Sequence, residues 1–409
     1  MLVDFTGVVH HYLHRNGPWQ TLNCLHQDIP MSLTKYQDYL SKLVAVVVEN
    51  EASDLFLTAQ FAPAIKVNGE LHALGKQTLT ASDVVQFVEA MTTERQREMF
   101  AASHELNFAY ESDASGRFRV NIMRQKGLEA IVLRRIPDSV PKTSALGLPP
   151  ILEQVAAEKR GLVLVVGAAG AGKSTTLASM IDHRNRTSSG HIITVEDPIE
   201  FVHSHQRSIV HQREVGMDTE SWRAALRNAL RQSPDVILIG EIRDQETMEH
   251  AIAFAETGHL CLATLHANSA SQALDRIINF FPAERRRQLL SDLSLNLKAV
   301  VSQRLVPLRQ GEGRVPAVEV LMQTPFVSEI IGRGEFGNLK EIMEKDVQFG
   351  MQTFDRSLCT LEAAGKISEQ TAIAFADSAN NVRLKIQLRS RQATIDGEMN
   401  NPSTFSVLD

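Results

Sequence analysis

Cysteine is almost missing from this 409-residue chain. Three occur, Cys24, Cys261 and Cys359, and no two form a CxxC pair. That excludes a cysteine-based zinc framework and fits a reducing compartment. Long apolar runs are missing too: Gly161–Gly167 (GLVLVVG) and Val236–Gly240 (VILIG) are among the longest. Both fall far short of the ~20 residues that a membrane span needs. Positive charge is in deficit, with 42 Lys+Arg against 48 Asp+Glu for a formal net charge of −6. A chain built to bind polyanions carries the opposite balance. The N-terminus, MLVDFTGVVHHYLHRNG, lacks a basic stretch followed by an apolar one, so it does not read as a secretory signal. With 43% hydrophobic and 22% charged residues, a collagen, a coiled-coil rod and a largely disordered chain are excluded. What is left is a cytoplasmic globular protein, long enough for two or three domains.

Residues 1–30 read as a disordered extension, with Met31 as a second candidate start. His10, His11 and His14 lie there without an accompanying carboxylate or thiol, so they read as a polar tail rather than a metal site. Tyr36, Leu40, Leu43, Val44, Val47 and Val48 recur at helical spacing and open a domain over 31–137. Its short segments Asp54–Thr58, Ala64–Val67, Glu105–Tyr110, Arg117–Asn121 and Glu129–Arg135 predict strands. Asn68-Gly69 predicts a hairpin turn, and helices fall around 82–101. Pro137, Pro141, Pro149 and Pro150 mark a connection.

A second domain, 138–376, alternates strands and helices. The strands Gly161–Gly167, His191–Asp197, Asp235–Glu241 and Leu260–His266 are near-continuous apolar runs. That is the pattern of a parallel sheet covered on both faces. Residues 269–376 read as mostly helical, with one strand-like run at Val315–Met322. Residues 377–409 read as a tail, disordered from Ser390.

The chemistry sits at the strand ends. Gly167-Ala168-Ala169-Gly170-Ala171-Gly172-Lys173-Ser174-Thr175 is a GxxxxGKST loop between a strand and a helix. Its backbone N–H groups can wrap a phosphate, Lys173 can reach β- and γ-oxygens, and Ser174 can ligate Mg²⁺. Glu241 ends the strand DVILIG, where an attacking water needs a carboxylate beside the γ-phosphate. The preceding position, which usually carries an aspartate, is Gly240. Glu196, Asp197 and Glu200 in VEDPIE are therefore the candidate carboxylates for the hydrated Mg²⁺. His259 and His266 bracket the last core strand in TGHLCLATLH, seven residues apart, so one shared metal is not expected. One of them near the nucleotide would couple phosphate state to that strand; both can equally be structural. Arg285-Arg286-Arg287 reads as a solvated helix start.

These four ordered boxes resemble a known family, the secretion and type IV pilus motor ATPases, and in particular the PilT/PilU retraction branch. The resemblance covers about residues 32–388. GAAGAGKST is similar to the family's Walker A, VEDPIE to its Asp box, DVILIGEIRD to its atypical Walker B and TGHLCLATLHANSA to its His box. SDLF at Asp54 and GRFRVN at Arg119 resemble its N-terminal domain; SMIDHRN and GKIS…ADSANNVRLKI resemble the PilU type. The fold so implied is α/β: a RecA-like P-loop NTPase core, an N-terminal PAS-like α+β domain and a C-terminal helical region. The resemblance implies Mg·ATP hydrolysis in a homo-hexamer, with force delivered to an inner-membrane pilus platform protein from the cytoplasmic face. Membrane association is then peripheral, through partners, and no nucleic acid is involved. It also implies that Arg119 and Arg134 reach ATP phosphates and that Arg227 and Arg231 form a further basic pair; an ion-pair role is the alternative for each.

Two departures stand out, and the second bears on strength. Ser233 stands where many relatives carry an acid, and FVSEIIGRGEF fits the retraction motif AIRNLIREG only loosely. Together with the missing Cys₄ element of assembly motors, this points to an accessory retraction motor that works beside a PilT-type motor. The rival readings are a RecA-like nucleic-acid motor and a nucleotide-binding ring subunit with little force of its own.

Overall fold

The computed structural model describes residues 33–112, 116–137, 139–311 and 313–399. The reading of 1–30 as an extension lies outside them. The chain divides into two compact units, the first ending at Asp138 and the second beginning at Ser139.

The first unit comprises α1 (Leu33–Glu49), β1 (Asp54–Thr58), β2 (Ala64–Val67), β3 (Glu70–Ala73), α2 (Ala81–Met91), α3 (Glu94–Ser103), β4 (Glu105–Ser112), β5 (Gly116–Gln125) and β6 (Leu128–Ile136). Its antiparallel sheet has the order β3-β2-β1-β6-β5-β4. Asn68 and Gly69, with φ of 50° and 87°, make the two-residue turn that sets Val67 opposite Glu70; both central residues need positive φ in such a hairpin. Capping boxes at Thr80–Asp83 and Thr93–Gln96 start α2 and α3. Leu40, Val44 and Val47 form the buried stripe of α1 and pack with Phe87 and Phe118 in one core.

The second unit is three-layered. Its elements are α4 (Ile151–Ala156), β7 (Gly161–Val166), α5 (Lys173–Thr187), β8 (Gly190–Glu196), β9 (Ser208–Glu214), α6 (Trp222–Ala229), β10 (Val236–Ile239), α7 (Gln245–Glu256), β11 (Leu260–Leu265), α8 (Ala270–Asn279), α9 (Ala283–Asn296), β12 (Leu297–Pro307) and β13 (Arg314–Met322), then α10 (Pro325–Arg333), α11 (Leu339–Lys345), α12 (Phe354–Ala363), α13 (Glu369–Ala374) and α14 (Ala379–Met399). The sheet order is β13-β12-β7-β11-β10-β8-β9, parallel except for β13. β7 is buried along its whole length. Leu162, Leu164 and Val166 enter one flanking core, and Val163 and Val165 enter the other. That is why the run shows no polar alternation.

Two strands depart from the sequence reading. β12 lies inside the stretch expected to be mostly helical, and β9 was not expected at all. In β12 the polar run Ser302-Gln303-Arg304 breaks the apolar pattern, yet Ser302 and Gln303 are buried and bonded to Glu319 and Thr176. β9 is an edge strand whose exposed Ile209 and buried Val210 follow simple alternation. The expected tail also differs. Val382 and Ile386 of α14 are buried in a core with Phe354 and Leu358. One helical turn apart, they form the buried stripe of the helix, while Leu384 and Leu388 between and beyond them stay exposed.

Candidate active site

Four strand ends meet along the carboxyl edge of the second sheet. β7 bonds to β11, β11 to β10, and β10 to β8, so Gly167, His266, Glu241 and Glu196 stand side by side at the ends of neighbouring strands. Ligands of open α/β sheets bind at this edge. A cleft of about 510 Å³ opens there, lined by Ala169–Thr175, Glu196, Asp197, Glu200, Glu241 and His266, among others.

The glycine-rich loop turns the chain into α5. Gly172 has φ +86°, a left-handed conformation that favours glycine, and a Cβ there would also push on the Gln303 side-chain nitrogen 2.7 Å away. α5 begins without a side-chain cap, which leaves its first N–H groups to an anion. Lys173 donates from Nζ to the carbonyls of Gly167 (3.0 Å) and Ala168 (3.1 Å). Burial lowers its pKa, against the pull of the Glu241 and Glu200 carboxylates.

Both oxygens of Glu241 are engaged. Oε1 lies 3.1 Å from His266 Nε2, and Oε2 accepts from Arg243 Nε at 2.8 Å. Arg243 Nη1 also stands 3.8 Å from Asp197. Gly240 explains the missing aspartate. A Cβ there would meet the Glu196 Cα and the Val195 carbonyl at 3.2 Å and the Trp222 ring at 3.3 Å. The Thr264 hydroxyl donates to the Gly240 carbonyl and ties β11 to β10 at the site.

Glu196 differs from its neighbours. Burial pushes its carboxyl up to about 7, although Thr194 Oγ1 (2.6 Å) and Gln212 Nε2 (3.2 Å) both donate to Oε1. His203, also lining the cleft, is lowered to about 4 by burial and is neutral. Among the described residues, no three or more His, Cys, Asp or Glu side chains are grouped so as to hold a metal ion.

The expected site residues divide. The Gly167–Thr175 loop, Glu196, Asp197, Glu200, Glu241 and His266 come together. His259 does not: it stands before β11, at the opposite end of a six-residue strand, with Nδ1 against Thr257 Oγ1 (3.0 Å) and the Phe254 carbonyl (3.2 Å). A strand that long spans about 20 Å, so within this chain His259 belongs to the end of α7, not to the cleft. Arg227 and Arg231 are exposed and do not line it, whereas Trp222, at the start of the helix that carries Arg227, does. Arg119 and Arg134 face each other across β5 and β6 in the first unit, where Arg134 Nε bonds Asp54 Oδ1 at 2.8 Å.

A model of the type II/IV secretion system protein family matches residues 32–350. The chain belongs to that family. It is 53% identical over 349 residues to the type IV pilus ATPase PilU of Pseudomonas aeruginosa, covering 85% of this chain and 91% of that one. To the pilus retraction ATPase PilT of the same organism it is 40% identical over 333 residues, 81% of this chain and 96% of that one. The crystal structure of the retraction motor PilT with bound ADP superposes with a TM-score of 0.78 at 38% identity, covering 84% of this chain and 98% of that one. The chain is therefore a PilT/PilU-type pilus ATPase of the secretion family with a RecA-like core. In this family member, sequence reasoning passed over Arg243 and Thr264. Both had a signal: Arg243 follows Glu241 by two residues in GEIRD, and Thr264 precedes His266 by two, on the same strand face. No helix among the described residues is long and apolar enough to cross a membrane.

Proposed function

We propose that this chain is a motor ATPase that couples ATP hydrolysis to type IV pilus retraction and twitching, as a homo-hexamer working beside a PilT-type motor. The observation that carries the reading is Glu241, fixed at the end of β10 beside the phosphate loop by His266 and Arg243. Family membership and the 53% identity to a PilU support the pilus assignment.

Phosphate arrival gives Lys173 a better partner than the two carbonyls that hold it now, and the ammonium turns to the β/γ-oxygens. The α5 N–H groups bind the same anion. Glu241 then orients the attacking water and accepts its hydrogen bond; a positioned base of this kind contributes about 10²–10⁴-fold. His266 keeps the carboxylate aimed, and Thr264 fixes the two strands that carry the pair. Mg²⁺ is bound through one or two carboxylates together with substrate phosphates. The Ser174 hydroxyl with one or two of the carboxylates of Asp197, Glu196 and Glu241 would supply donors of that kind, the phosphates completing the set, and the ion would neutralise charge on those phosphates. Arg119 and Arg134 act on a nucleotide held by a neighbouring subunit, and the ring docks on an inner-membrane platform protein at the cytoplasmic face.

Glu241→Gln tests the reading. It is expected to bind ATP with ordinary affinity and to lose hydrolysis at least 100-fold, while Lys173→Ala loses binding. In cells, deletion leaves surface pili present and weakens retraction, most clearly when the PilT-type motor is crippled. Wild-type turnover by Glu241→Gln removes Glu241 from the reaction, and loss of pilus assembly with retraction blocked reverses the direction.

A further inference from the structure

Arg304 of β12 lies behind the His266 loop, and its guanidinium meets four groups at once. Nη2 bonds Asp377 Oδ1 at 2.8 Å and the Asn268 carbonyl at 3.3 Å. Nη1 donates to the Phe375 carbonyl at 3.0 Å, and the plane lies 3.9 Å above the Phe354 ring. Asn268 is two residues past His266, on the short loop between β11 and α8. Phe375 and Asp377 belong to the segment that joins α13 to α14. One side chain therefore ties the loop carrying the Glu241 partner to the C-terminal helices.

Both ends of that tie are themselves fixed. The next residues of the loop reach buried Glu319, which accepts from the Ala270 N–H at 2.8 Å and from Ser302 at 3.1 Å. On the C-terminal side, buried Asp355 accepts from the N–H groups of Asp377 (2.8 Å) and Ser378 (3.3 Å). Lys340 stands between Asp355 and Asp377, at 3.5 and 3.3 Å. A planar guanidinium with five donors can hold a stack, an ion pair and two carbonyls together. A lysine ammonium cannot.

We propose that Arg304 is a positioning residue for ATP turnover, coupling the His266–Glu241 pair to the Phe375–Ser378 segment, so that nucleotide state and the docking of α14 influence one another. Linkage makes that influence reciprocal. The proposal rests on the reading of Glu241 as the hydrolytic carboxylate.

The test uses the full-length protein with two readouts, steady-state ATPase and hydrogen exchange at residues 375–378 with and without a non-hydrolysable ATP analogue. Wild type is expected to change exchange at the Asp377 and Ser378 amides when the analogue binds. Arg304→Met is expected to lower kcat about tenfold with KM within twofold, and to abolish the nucleotide response at 375–378. Arg304→Lys restores the ion pair to Asp377 and should recover kcat only in part. Asp377→Asn leaves Arg304 in place and supplies the same test through a milder change: it should shift kcat and shrink the exchange response. A purely structural Arg304 would lower the melting temperature and speed exchange equally with and without nucleotide. That result, or an unchanged kcat in both Arg304→Met and Asp377→Asn, overturns the proposal. A wild type that hydrolyses no ATP refutes the underlying reading instead.

Discussion

Glu196 stores a pH-dependent cost that can be measured. Its carboxyl titrates at about 7 in the folded chain against 4.5 for an ordinary glutamate, because burial penalises the charge. Below pH 4.5 folded and unfolded states are both protonated, and the residue contributes no pH-dependent difference. Between 4.5 and 7 the unfolded chain ionises while the folded one holds its proton, so stability falls as pH rises. Above 7 the full penalty is present, about 3 kcal/mol at 1.36 kcal/mol per pKa unit. Glu196→Gln removes the ionisation and keeps an Oε1 acceptor for Thr194 and Gln212. In nucleotide-free buffer with EDTA, urea unfolding should show the variant gaining on wild type as pH rises. The gain is close to nil near pH 4.5 and reaches about 3 kcal/mol by pH 8. A difference that does not change with pH would refute the reasoning, and a variant that loses ground as pH rises would reverse its sign. The gain should be paid for in function, because the amide no longer offers a charge to an incoming cation.

Restoring the usual acid should fail: Gly240→Asp must push a side chain against the Glu196 backbone and Trp222. It should cost about 1–3 kcal/mol, read as a lowered melting temperature, with ATPase reduced rather than raised; activity at or above wild type would contradict the packing argument. Mixing Arg134→Ala subunits with Lys173→Ala subunits should recover part of the ATPase activity, since some sites in a mixed ring are then intact. No recovery in rings confirmed as mixed by mass spectrometry would count against an arginine supplied in trans.

Local signals carried most of the site. The phosphate loop, the carboxylates and His266 were legible because each lies at a strand end, where a short motif and a period change coincide. Gly240 read only as an omission; its reason, the crowding by Val195, Glu196 and Trp222, is tertiary. β12 was hidden because Ser302, Gln303 and Arg304 look solvent-facing until Glu319, Thr176 and Phe354 are placed around them. The histidines were legible in part: their spacing put them at opposite ends of one strand, with one near the nucleotide, but which one was left open, and it is His266 that lines the cleft. Helix α14 was set apart as a tail although Val382, Leu384, Ile386 and Leu388 are all apolar; only Val382 and Ile386, one turn apart, are buried, and that is decided by the core they meet.

The bond between Asp54 and Arg134 has a consequence for timing. Asp54 is buried while the Arg134 side chain is 68% exposed, so the carboxylate acts as a fixed post and the arginine as an arm hinged on it. The bond uses Nε, and the fork of terminal amino groups is the part suited to grip a phosphate bidentately. A guanidinium already held at Nε has fewer orientations to search and surrenders less rotamer freedom on capture. On the proposed reading, in which Arg134 reaches a neighbour's nucleotide, the guanidinium arrives already oriented, and little rests on the wandering of one side chain. On that reading, capture of the nucleotide would not wait on a side-chain search.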